Sequence, residues 1–136
     1  MYPRGALVAE LSNGDARLVT IVTHLGLHPL ERLHDAHELG RLLPHGSPAV
    51  VGGDLNEKPD GRAVALLSER LGDAWLLGGD ADGDTFPAEE PTARIDYLFV
   101  TNGIAVERVI VPPGPDAREA SDHRPVVSEL TLPHPQ

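Results

Sequence analysis

Residues 50–59 read VVGGDLNEKP, an apolar run that ends by presenting Asp54 and, two residues later, Asn56. In extended backbone, residues two apart point to the same side, so both face one site if the strand geometry persists that far. A carboxylate there can hold a hard cation or orient a water. A carboxamide can fix a water or a phosphate oxygen without adding charge. Gly52 and Gly53 allow another backbone or a ligand to approach closely. The alternative is an ordinary turn, because Asp and Asn are frequent at loop starts.

Asp96 sits in RIDYLFV, residues 94–100. A charge in so apolar a strand is costly unless paired. Its partner is either Arg94, two residues away, or a histidine that the carboxylate orients and makes more basic. Asp122-His123 follows a loop and precedes the last strand-like segment. A carboxylate beside an imidazole suits a metal ligand next to an acid–base or phosphate-stabilising group. His24 closes another strand-like run in Thr23-His24-Leu25, where a lone histidine is commonly structural. His34 and His37, with His28 nearby, have a spacing that can hold zinc. No carboxylate or third histidine completes that set, and a solvated helix face explains it.

These side chains need a scaffold. Residues 4–11 and 17–23 read as two antiparallel strands across the turn signal Asn13-Gly14-Asp15. Residues 30–43 carry apolar side chains at helical period, with Pro29 at the start and Pro44 past the end. Residues 48–53 fit a strand covered on both faces. Residues 60–71 predict a second helix with Asp60 as N-cap. Residues 78–92 and 112–121 read as loops. Residues 94–101 and 104–111 predict a hairpin across Asn102-Gly103, and residues 125–132 a last strand. About six strands and two helices make an α/β layered domain.

The chain has 136 residues, enough for one domain. Its net charge of −10 argues against non-specific nucleic-acid binding, which needs Lys and Arg. No cysteine is present, so disulfides and thiolate zinc sites are excluded. No apolar run is long enough for a membrane span. Met1-Tyr2-Pro3-Arg4 leads directly into strand-like sequence, and the expected compartment is cytoplasmic.

The series Thr23-His24-Leu25, Gly53-Asp54-Leu55-Asn56, Arg94-Ile95-Asp96-Tyr97 and Ser121-Asp122-His123-Arg124-Pro125-Val126 resembles the endonuclease/exonuclease/phosphatase superfamily, the family of deoxyribonuclease-I-like folds. The resemblance implies metal-dependent hydrolysis of a phosphate ester, with Mg²⁺ or Mn²⁺ as cofactor. By the family's motifs, Asp54 orients or deprotonates the attacking water, and Asn56 holds that water and the phosphate. Asp122 contributes to the metal site. His123, oriented by Asp96, supports the negative transition state. His24 contacts the phosphate or assists the leaving group. Phosphodiesterase, nuclease and phosphatase activities all occur in the family.

The family's fold is a layered α/β sandwich of two packed sheets. Residues 1–136 resemble its C-terminal portion alone, which implies one mixed sheet with flanking helices. The family's N-terminal Asn and metal-binding Glu motifs have no counterpart here, and Glu10, Glu31 and Glu38 do not sit in the right context. Activity is therefore expected to be impaired or partner-dependent, with a non-catalytic half-domain as the alternative. One sheet face is expected to stay open and apolar, inviting self-association or an N-terminal half-domain partner.

Overall fold

Residues 3–135 are described by a computed structural model. The reading of the chain start at Met1-Tyr2 lies outside the described residues, as does Gln136. The hairpin forms as the turn signal predicts. Strands β1 (Ala6–Asn13) and β2 (Ala16–His24) pair antiparallel around Gly14, whose φ of 59° suits a residue without a Cβ. Helix α1 (Pro29–Leu42) then crosses back so that β3 (Ala49–Asp54) lies parallel to β2. Helix α2 (Arg62–Ser68), the short β4 (Gly72–Asp73) and α3 (Ala74–Gly78) follow. Strand β5 (Asp96–Val100) completes a five-stranded mixed sheet in the order β1-β2-β3-β5-β4.

One face of this sheet is the core. Ile21, Val51, Tyr97 and Phe99 pack there against Ala36 and Leu39 of α1 and Val64 and Leu67 of α2. On the opposite face, Leu98 packs against α3 and a separate two-stranded sheet of β6 (Ala105–Ile110) and β7 (Val127–Thr131). Trp75 and Val109 anchor that second cluster. Its cover does not reach β1 and β2. Leu7, Leu11 and Val22 remain 69%, 52% and 54% exposed, and Leu7 faces Val22 across the ladder.

Three local expectations are corrected. The hairpin of residues 94–101 with 104–111 does not form, although the chain does turn at Asn102-Gly103. Both edges of β5 are already paired, to β3 and β4, so β6 pairs with β7 instead. Asp60 is not the N-cap of α2; Gly61 holds that position without a side-chain bond. The buried Glu57 carboxylate takes over the capping, accepting from the backbone N–H groups of Ala63 at 2.7 Å and Val64 at 3.2 Å. A short helix α4 (Pro115–Ala120) occupies the segment read as loop.

Candidate active site

Strand register builds the centre of the site. His24 ends β2, Asp54 ends β3 and Asp96 starts β5. His24 is paired with Asp54, and Asp54 with Asp96, across adjacent strands. Cross-strand partners project to one face, so three polar side chains from distant sequence stand in a row. The close approach of β2 and β3 just before this row demands glycine. A Cβ on Gly53, whose φ is 146°, would lie 1.8 Å from the Thr23 carbonyl oxygen.

The strand geometry stops at Asp54. Asn56 adopts φ 49°, and its backbone N–H donates to Asp54 Oδ1 at 2.8 Å. A turn, rather than continued strand alternation, therefore sets the relation between these two residues. The Asn56 amide donates to the Leu25 carbonyl oxygen at 3.0 Å, tying this turn to the segment after His24.

His123 reaches the row from the loop before β7. Its Nδ1 lies 2.8 Å from Asp96 Oδ2, and its Nε2 3.8 Å from Asp54 Oδ2. His24 Nε2 lies 3.3 Å from the same Asp54 oxygen. Asp54 thus presents one oxygen to two imidazoles while its other oxygen is held by the Asn56 N–H. Burial acts to lower the His123 pKa, but the hydrogen bond to Asp96 and the charges of Asp96, Asp54 and Asp122 outweigh it, leaving the imidazole raised above its ordinary 6.5. Phe86 packs on the His123 ring at 4.9 Å. The His24 side chain is 55% exposed, which leaves this flank open to a ligand.

The residues fit a divalent cation. Asp54, Asp96 and His123 each offer a ligand atom, and these atoms lie within 4.8 Å of one another. Two carboxylates concentrate negative charge there, as a doubly charged ion requires. Asp122 is exposed and outside this set of three; its carbonyl oxygen accepts from the Ala88 N–H. Among the described residues no such set forms around His28, His34 and His37. His28 instead caps α1, its Nδ1 accepting from the Leu30 N–H.

Sequence reasoning missed the residues that hold this geometry. Glu57 is buried; its Oε1 accepts from Arg32 Nε at 2.9 Å, and its carbonyl oxygen accepts from the Tyr97 hydroxyl at 2.8 Å. Burial pushes the Tyr97 pKa far up, so the hydroxyl remains a donor. Arg32 also donates to the Leu27 carbonyl oxygen. Glu57 therefore links the segments after His24 and Asp54 to the strand bearing Asp96. Its position one residue past Asn56 was the available signal, but its burial is set by tertiary packing. Thr85, which donates to Asp96, lies where hydrophobic periodicity is silent.

A sequence model of the Endonuclease/Exonuclease/phosphatase family matches residues 18–123. The uncharacterized protein YbhP of Escherichia coli K12 is 29% identical over 113 residues, covering 80% of this chain and 44% of YbhP. An endonuclease/exonuclease/phosphatase from Bacteroides vulgatus superposes with a TM-score of 0.83 at 25% identity, over 95% of this chain and 56% of that one. The Bacteroides thetaiotaomicron mannosyl-6-phosphatase Bt3783 shares the fold, with a TM-score of 0.83 at 22% identity, over 97% of this chain and 58% of that one. The chain spans about half the length of the curated relatives it matches.

Proposed function

The chain belongs to the endonuclease/exonuclease/phosphatase family, and we propose that its site hydrolyses a phosphate ester with Mg²⁺ or Mn²⁺. The observation that carries this reading is the row of His24, Asp54 and Asp96 on three adjacent strands, with His123 spanning both carboxylates. Asp54 Oδ2 is the base that takes a proton from the attacking water. The new bond is from water oxygen to phosphorus; the bond that breaks is from phosphorus to the ester oxygen. Asn56 has a second amide hydrogen beyond the one given to Leu25, and it serves a phosphate oxygen. His123, held toward its protonated form, donates from Nε2 to the negative phosphoryl group. His24, half exposed, contacts the phosphate or protonates the departing alkoxide.

A divalent cation, when bound, neutralises charge growing on the phosphoryl and leaving oxygens. Asp54 and Asp96 would hold it, with Asp122 at the margin. The net charge of −10 disfavours a duplex polyanion as substrate, so small or lipid-linked esters fit better than duplex DNA. A chromogenic phosphodiester and a monoester reporter test the reading. We expect turnover with Mg²⁺ or Mn²⁺ that stops on chelation; its absence with both metals, in every oligomeric fraction, would sink the proposal.

The open strip of Leu7, Leu11 and Val22 favours a second reading, in which full turnover belongs to an assembly. Apolar strips of this kind on a sheet are normally covered. Under this reading the strip packs against a second sheet, from another copy of the chain or an N-terminal half-domain. Sedimentation velocity of the isolated chain at micromolar concentration should show concentration-dependent association. A clean monomer across that range would remove self-association and leave the half-domain.

A further inference from the structure

Asp96 receives more than the His123 imidazole. Thr85, fully buried, donates its hydroxyl proton to Asp96 Oδ2 at 2.5 Å, the same oxygen that faces His123 Nδ1. The direction of that proton is not free. Thr85 Oγ1 also lies 3.4 Å from the Ile95 backbone N–H and accepts from it. A hydroxyl has one proton, so a lone pair turned to Ile95 leaves that proton for the carboxylate. A short hydrogen bond to an ionised acceptor is among the stronger ones a side chain can make.

The backbone of Thr85 is held as firmly. Its N–H donates to the Ala93 carbonyl oxygen at 2.9 Å, and its own carbonyl oxygen accepts from the Arg124 N–H at 2.8 Å. Arg124 follows His123 directly. One residue therefore grips Asp96 through its side chain and the His123 segment through its backbone. The next residue, Phe86, packs on the His123 ring.

We propose that Thr85 is a positioning residue of the site: it fixes the Asp96 carboxylate and, through it, the orientation of His123. The inference rests on the reading of His123 as the phosphate-stabilising group. With Asp96 Oδ2 held in place, the His123 Nδ1–H has a fixed acceptor, and the ring keeps Nε2 on the Asp54 side of the site. Without the hydroxyl, Asp96 rotates more freely and the His123 ring loses its fixed orientation. The arrangement gives the Asp–His pair a third member, the generalised logic of a hydrogen-bonded catalytic chain.

The decisive pair is Thr85→Val, which keeps the volume and removes the donor, against Thr85→Ser, which keeps the donor. The first readout needs no turnover. The proton resonance of the His123 Nδ1–H in the metal-free protein reports its hydrogen bond to Asp96. Wild type and Thr85→Ser should show it far downfield and slow to exchange, and Thr85→Val should show it broadened by exchange. The second readout is kinetic. Thr85→Val should lose about tenfold in kcat with KM within about twofold, and Thr85→Ser should recover most of it. A wild-type Nδ1–H resonance in Thr85→Val would overturn the proposal, as would a loss that Thr85→Ser shares in full. Should Thr85→Val fail to fold, the wild-type protein decides. A slowly exchanging Thr85 hydroxyl resonance coupled to the Asp96 carboxylate carbon supports the proposal, and a rapidly exchanging one ends it. If wild type turns over no reporter, the hydrolase reading fails while the Nδ1–H resonance still judges Thr85.

Discussion

Asp54→Asn should lower kcat/KM on a phosphodiester reporter by about 10³, in the range of lost general-base catalysis. The substitution is chosen because it separates chemistry from folding. Asp54 Oδ1 accepts from the Asn56 N–H, and an asparagine oxygen can make the same bond. The turn at Asn56 should therefore persist, as should the β2–β3–β5 register. What disappears is the basic oxygen that sits 3.3 Å from His24 and 3.8 Å from His123. The negative charge at the centre of the candidate cation site disappears with it. Circular dichroism and the urea midpoint should stay close to wild type. Retained activity in a folded Asp54→Asn protein would remove Asp54 as the base and with it the proposed mechanism.

The chemistry-bearing residue types were legible in the sequence because each stands out locally. Asp54 ends an apolar run, Asp96 interrupts one, and Asp122-His123 precedes a strand. The hairpin around Gly14, helix α1 and strand β3 were legible too, since turn chemistry and hydrophobic period are local properties. What joins the residues is not local. His24, Asp54 and Asp96 meet through strand register, and nothing between residues 24 and 96 encodes that register in a short window. The same limit explains β6. Asn102-Gly103 signals a turn, but whether β5 has a free edge depends on β4, two residues long and invisible to periodicity. Glu57 and Thr85 were missed because their roles depend on burial. A glutamate in a loop and a threonine in a Gly- and Asp-rich stretch look solvated until the fold closes over them.

Arg94 was the nearest cation to Asp96 in sequence, and it has a different partner. Its Nη1 lies 2.8 Å and 3.1 Å from the two oxygens of Asp73, and both side chains are buried. Asp73 Oδ1 also accepts from the Trp75 N–H and caps α3, while the guanidinium lies 4.7 Å from the Tyr97 ring centre. Asp73→Ala should therefore destabilise the fold by about 3–5 kcal/mol, the range for leaving a buried charge unpaired. Against a total of about 5–15 kcal/mol for a domain, that approaches unfolding. Urea denaturation measures it, and a loss below about 1 kcal/mol would show that water or another group satisfies Arg94. Adding Arg94→Met should recover more than half of the loss, because removing both charges avoids the desolvation penalty that removing one exposes. The double variant also tests what the pair does for the site. If the main service of Asp73 is to keep a cation away from Asp96, then with Arg94 gone Asp96 still belongs to His123 and Thr85. Turnover per folded molecule should then survive in the double variant. If it collapses although the fold recovers, the Arg94–Asp73 pair positions the strand that carries Asp96 rather than merely allotting its partners.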